Sequence, residues 1–124
     1  MSTLLNLKKG VVDSEDINET FAVASADGAI SIPARGSKTI FVTKAGVCAM
    51  TLTAPTATTH DGVRLTFVST TAQAHTLTVA TTGLNDLGGS GDVGTWGGAK
   101  GDGLTIVAYQ ADWYVVSNIN VTIA

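Results

Sequence analysis

The chain has 124 residues and a mass of 12.6 kDa, which is enough for one domain with a single core. Charged residues make up 14% of it, against roughly 25% in an ordinary soluble domain, whereas threonine, alanine and glycine fill 49 positions. A net charge of -3 gives no extended positive surface for a polyphosphate backbone, so we expect no nucleic-acid partner. No apolar run approaches the roughly 20 residues that span a bilayer, and no membrane partner is expected.

Cys48 is the single cysteine, which excludes an intramolecular disulfide and any thiolate cluster for a metal. Stability must therefore come from packing or from neighbouring chains. Because a lone domain usually carries more charge on its surface, the low charge density favours a homo-oligomer. The basic residues near the amino terminus follow its leucines, the reverse of a secretory signal, so export by that route is not expected.

Residues 1–27 differ from the rest of the chain and are predicted to form an extended N-terminal docking arm. They contain five of the ten acidic residues and one glycine. Residues 14–17 are suited to a short capped turn, and residues 21–24 to a short extended piece. A frayed terminus is the alternative, but disordered segments are poor in large apolar residues. The side chains predicted to dock are Leu4, Leu5, Leu7, Val11, Val12, Ile17 and Phe21.

Residues 28–124 show short alternating segments rich in β-branched residues and separated by Gly, Pro, Asp and Asn, a pattern typical of antiparallel β-structure. The connections 44–46, 57–61 and 110–112 have the length of hairpin loops, which favours pairing in sequence order. We therefore predict an all-β fold, a single compact antiparallel β-sandwich or barrel-like domain. The candidate strands are Ala29–Ile32, Lys38–Thr43, Val47–Thr53, Gly62–Ser69, His75–Ala80, Gly103–Tyr109, Trp113–Ser117 and Ile119–Ile123.

Residues 82–102 contain eight glycines and are predicted to form a long loop, with Val93 and Trp96 anchoring it to the core. A phosphate-binding loop is the functional alternative. It is disfavoured because no Gly-Lys-Ser/Thr ending follows and the segment leads into a strand rather than a helix.

No constellation of residues predicts catalysis, and the chain is not expected to be an enzyme. A metal site would need more ligands than His60, His75 and Cys48 supply at any recognisable spacing. Calcium binding by Asp86, Asp92 and Asp102 lacks the regular spacing of known loops, so these residues are expected to cap turns. Cys48 lies in an alternating strand and is predicted to be a small buried hydrophobe. No cofactor is expected.

Three aromatic residues offer the chemistry for stacking on a sugar. Trp96, Trp113 and Tyr114 could serve a carbohydrate site, but aromatic residues at strand positions more often fill a core. With only seven aromatic residues in the chain, we expect the core role.

Several runs in residues 28–124 resemble a small β-domain of tailed-bacteriophage virion proteins, found in head decoration (cement) proteins and in some fibre proteins. The runs are Val42-Thr43-Lys44-Ala45-Gly46, Ala49-Met50-Thr51-Leu52-Thr53-Ala54-Pro55-Thr56, Asp61-Gly62, Ala74-His75-Thr76-Leu77-Thr78, Gly97-Gly98-Ala99-Lys100-Gly101-Asp102-Gly103-Leu104-Thr105-Ile106-Val107-Ala108-Tyr109 and Trp113-Tyr114-Val115-Val116-Ser117.

The resemblance implies a structural virion protein, made in the host cytoplasm and placed on the outer surface of the capsid. It would bind the major capsid protein of the mature head, as a trimer, and stabilise the shell by bridging capsomers. The alternative is a fibre or receptor-binding module, in which residues 82–102 and the aromatic residues form a binding tip.

Overall fold

The fold is a sandwich of two five-stranded sheets, and the computed structural model describes residues 19–79, 81 and 83–124. The strands and one short 3₁₀ helix are β1 (Glu19–Ala24), β2 (Gly28–Ala29), β3 (Ser37–Val42), β4 (Ala49–Leu52), β5 (Arg64–Ser69), β6 (Thr76–Val79), the helix (Gly88–Ser90), β7 (Val93–Trp96), β8 (Gly103–Tyr109), β9 (Asp112–Ile119) and β10 (Val121–Ile123). Sheet A has the order β9-β8-β5-β3-β1, and sheet B has the order β10-β7-β6-β4-β2. The expected all-β sandwich is confirmed.

The first six strands alternate between the two sheets, so the chain winds as a roll of three turns. Strands β1, β3 and β5 pair in parallel in sheet A, and β2, β4 and β6 pair in parallel in sheet B. The last four strands join antiparallel, with β8 and β9 on the free edge of β5, and with β7 and β10 on that of β6. Both sheets are therefore mixed.

The prediction that strands pair antiparallel in chain order is thus wrong for the first six strands. The connections at 44–46 and 57–61 cross from one sheet to the other, and only 110–112 closes a hairpin, between β8 and β9. The physical reason lies in long-range partners. The Cys48 N–H donates to His75 Nδ1 at 3.0 Å, and the Cys48 carbonyl accepts from Thr76 N–H at 3.0 Å. These bonds direct the chain after β3 toward sheet B.

The core lies between the sheets and contains the inward side chains of every strand of at least four residues. Phe67 and Trp96 meet edge to face, with ring centroids 6.1 Å apart. Leu77 is fully buried. The largest buried residues are Trp96, Trp113, Phe67, Ile40, Met50, Leu65, Leu77, Leu84, Leu104 and Ile106.

The glycine-rich stretch folds against the body instead of extending from it. It contains β7, which lies inside sheet B, and its Leu84 is fully buried beside Trp113. Gly83 has a φ of +66°, and a Cβ there would lie 2.7 Å from the Gly88 carbonyl oxygen. Only glycine combines this backbone conformation with so close an approach. Trp96 anchors the segment, as expected, at 1% exposure.

Candidate interaction surface

The histidines and the cysteine lie in structural roles. His75 is fully buried, with Nδ1 accepting from Cys48 N–H and Nε2 lying 2.9 Å from Thr71 Oγ1. Burial lowers the pKa of His75, which favours the neutral ring that this bond requires. His60 accepts the Thr56 N–H within its own loop at 2.8 Å. Between Glu19 and Ala124, leaving aside positions 80 and 82, no three His, Cys, Asp or Glu residues form a group suited to a metal.

The Cys48 thiol is fully buried, as expected for a small hydrophobe. Its pKa is raised, mainly by burial and further by the negative charge of Asp27. Because the thiolate is the nucleophilic form, this environment suppresses nucleophilic reactivity. Cys48 therefore belongs to the core.

Two of the aspartates act as turn caps. Asp61 Oδ1 accepts the Gln110 N–H at 2.8 Å, and this bond is the main cause of the lowered pKa of Asp61. Asp102 Oδ2 accepts the Ala99 N–H at 3.0 Å and lies 3.1 Å from Asn120 Nδ2. Because these carboxylate oxygens already accept backbone N–H groups, both aspartates are engaged in turn capping rather than set out as calcium ligands.

Neither tryptophan is available to a sugar. Trp96 and Trp113 are buried, and their indole N–H groups donate to the carbonyl oxygens of Asp102 at 3.0 Å and Thr53 at 2.9 Å. The core role is confirmed for both. Tyr114 is 37% exposed and lies on the outside of sheet A.

Of the predicted docking residues, Leu4, Leu5, Leu7, Val11, Val12 and Ile17 lie outside the described residues. Phe21 lies on β1, where its ring is 71% exposed. The structure includes Glu19–Ala24, which were predicted to belong to the arm, in sheet A, because β1 pairs with β3 over all six of its residues. Phe21 is therefore part of the β-domain and stands where the chain emerges from residues 1–18.

The outer face of sheet A carries an apolar row. Val23, Phe41 and Val68 are neighbours on adjacent strands, and the row continues across Gly103 to Ile119. Val23 and Ile119 are each more than half exposed. Phe21 extends this surface, since its ring meets Phe41 edge to face with centroids 6.4 Å apart. Exposed apolar side chains that form a contiguous patch mark an interaction site more often than scattered ones do.

The outer face of sheet B has a different chemistry. Its cross-strand rows contain small uncharged residues, with methyl and hydroxyl groups and no ring: Ala29, Thr51, Thr78 and Val93 in one row, and Ala49, Thr76, Thr95 and Thr122 in the other. Two faces of one sandwich thus offer partners two kinds of surface. No sequence signal distinguishes the apolar row of sheet A, because its members come from four separate strands.

Comparisons of the chain with family models, curated proteins and solved structures found no match. Within the described part of the chain, no helix is long and apolar enough to cross a membrane.

Proposed function

We propose that the protein is a non-enzymatic decoration protein of a tailed-bacteriophage head. It attaches to the outer surface of the mature capsid through its N-terminal residues and stabilises the shell by bridging neighbouring subunits of the major capsid protein. The proposal starts from the resemblance of residues 28–124 to phage virion β-domains. The observation that carries it further is the exposed Phe21 ring at the point where residues 1–18 join the sheet.

Phe21 supports a docking role because an aromatic ring on an edge strand is costly to leave in water. A ring of this size buries a large apolar area when covered, and such rings are typical anchors of interfaces. The sequence before β1 also contains apolar residues, Leu4, Leu5, Leu7 and Ile17, which the proposal assigns to the same attachment. Many weak attachments repeated over a shell then give a long-lived coat.

The fibre or receptor-binding alternative has less support. It would use the glycine-rich stretch as a tip, yet that stretch supplies a central strand of sheet B and a fully buried leucine. The two tryptophans available for stacking are also in the core. Binding of the purified protein to host cells or to glycans, with none to capsids, would favour the fibre alternative.

The test is attachment to expanded heads that lack this protein, followed by heating. Decorated heads should release DNA at a higher temperature than bare heads. Deletion of residues 1–18 should abolish attachment, and Phe21→Ser should weaken it by roughly 30-fold, the effect of about 2 kcal/mol at an anchor. Leu87→Ser is the matched control, because Leu87 is 51% exposed on the loop beside the 3₁₀ helix. Full occupancy with unchanged release temperatures would contradict the stabilising role.

A further inference from the structure

The four edges of the two sheets differ in how they are protected against pairing with another strand. In sheet B the edge strands β2 and β10 have only two and three residues. In sheet A, β9 carries a bulge between Val115 and Ser117. Short strands and bulges are standard protections of a free edge. The remaining edge, β1, has neither.

Strand β1 is a regular edge of six residues in unbroken register with β3. From Thr20 to Ala24 it contains no charge and no proline. The Ala24 carbonyl accepts the Thr43 N–H at 2.9 Å, so the backbone groups of Ala24, and by alternation those of Ala22, point toward β3. Those of Phe21 and Val23 point to the outside edge, where no strand among residues 19–79, 81 and 83–124 pairs with them.

Beside this edge the roll is open between its two sheets. A groove of about 260 Å³ lies there, with Ala22, Ala24 and Ile40 among its lining residues. The charged side chains of Lys38, Lys44 and Asp27 near the groove already have polar partners within the chain. Lys38 Nζ donates to the Ser31 carbonyl at 2.9 Å, and Lys44 Nζ lies 2.7 Å from Asp27 Oδ1. A partner that covers this end therefore needs no charge.

We infer that β1 pairs antiparallel with β1 of a second copy of this chain, about a two-fold axis at Ala22. The inference and the proposed function both use Phe21, and cross-linking of the purified chain at position 22 tests the dimer without capsids. Antiparallel pairing at Ala22 places Phe21 opposite Val23 of the second copy and Thr20 opposite Ala24, so outward residues meet outward residues. Glu19 falls outside the paired segment, and no charge is brought into the contact.

The two-fold arrangement is self-complementary, as an isologous contact must be. It joins the two copies of sheet A into one continuous sheet and gathers the Phe21, Val23 and Phe41 side chains of both copies into one apolar cluster. It also brings the two open grooves together, so each roll closes the end of the other. The product is a dimer, where the family resemblance implies a trimer, and the mass in solution separates the two.

The antiparallel arrangement places the two copies of Glu19 at opposite ends of the paired strands. If the residues before Glu19 attach to a capsid, each dimer has two attachment points.

The first test is the mass of the full chain by light scattering over a range of concentrations, for the native protein and for Val23→Pro. Proline at 23 removes an N–H that points outward and places its ring at the edge, without removing a bond to β3. We expect the native chain to be a dimer and Val23→Pro to be a monomer with an unchanged circular-dichroism spectrum. Val116→Lys, at the protected edge β9, is the matched control and should remain dimeric.

The second test reads the register directly and does not depend on a disruptive variant. Ala22 faces its own copy across the axis in a pair without mutual hydrogen bonds, at a Cα separation of about 4.5 Å, within the range of a disulfide. Ala22→Cys in a Cys48→Ala background should form a disulfide-linked dimer on mild oxidation, whereas Ser117→Cys in the same background should not. A monomeric native chain, a trimer unaffected by Val23→Pro, or faster cross-linking at 117 than at 22 would overturn the inference.

Discussion

The first six strands and the last four both cover the core from two sides, but they pair with their neighbours differently. From β1 to β6 the chain crosses between sheets at each step, and its connections are held by side chains such as His75, which accepts the Cys48 N–H from the neighbouring connection. From β7 to β10 the strands pair antiparallel, with tight turns and two buried tryptophans. Both parts fill the core with large apolar side chains, but the connections of the parallel part are fixed by polar contacts between residues distant in sequence.

The largest effect is expected where the two parts meet. Trp113 is fully buried, and its indole N–H donates to the Thr53 carbonyl beyond β4. Trp113→Ala should lower the free energy of unfolding by about 3–5 kcal/mol, because it leaves a cavity and an unpaired carbonyl. Urea denaturation measures this. Trp113→Phe, which keeps most of the apolar volume, should cost less than half as much, and equal costs for the two variants would show that the hydrogen bond dominates instead.

The next prediction concerns the parallel part, through the pH dependence of its stability. The pKa of His75 in the folded chain lies below its ordinary value of about 6.5, because burial disfavours the charged ring. The unfolded chain therefore binds the proton more readily, and stability present above pH 6.5 is lost as the pH falls below it. The lowered pKa values of Asp27 and Asp61 act only at more acidic pH, below about 4.

Thermal unfolding between pH 5 and pH 7.5 checks this, with His75→Asn as the control. The asparagine Oδ1 can accept the Cys48 N–H without titrating, so the variant should be less stable at pH 7.5 but show a flatter pH dependence. An equal slope in both proteins would assign the pH dependence to another group.

A smaller effect tests the compact fold of the glycine-rich stretch. Gly83→Ala forces a Cβ against the Gly88 carbonyl in a left-handed conformation, so we expect a loss of about 1–3 kcal/mol. Gly89→Ala is the control, because a Cβ there meets nothing within 4 Å and its φ is outside the left-handed region. If both variants are equally stable by urea denaturation, the stretch does not pack as described.

The smallest effect concerns the hairpin between β8 and β9. Gln110 and Ala111 have φ values of +46° and +70°, and Asp61 holds the Gln110 N–H. Asp61→Ala should reduce stability less than the substitutions above, because the carboxylate lies at the surface, where water can replace its hydrogen bonds. Hydrogen exchange of the Gln110 amide should rise more than that of amides in β3, because the change is local.

Much of the strand content could be predicted from the sequence, because alternation of large apolar and small polar residues is a local property. Lys38–Thr43 and Gly103–Tyr109 match β3 and β8 closely. The pairing could not be predicted from short loops, because the partner of Cys48 is His75, 27 residues away. The sequence did not predict β7, because the glycines around it indicated a loop. Gly94 points inward, where a Cβ would lie 3.3 Å from Val121 Cγ1, so its small size is a packing requirement rather than a loop signal.

The candidate surface was only partly predictable for a similar reason. Phe21 was predicted as a docking side chain of the arm, and the structure leaves it 71% exposed on β1. The row of Val23, Phe41, Val68 and Ile119 depends on strand order, which brings together residues up to 96 positions apart in sequence. Such a row becomes visible only when the order of the strands in the sheet is known.

The parallel winding makes part of this protein modular. Between the second and third turns of the roll the chain advances by the same 27 residues in both sheets, since Ser37 lies beside Arg64 and Ala49 beside Thr76. We therefore expect a tandem copy of residues 37–63 inserted before Ser37 to add one strand to each sheet in register. At the other end, the antiparallel strands β7 to β10 follow β5 and β6 in the two sheets.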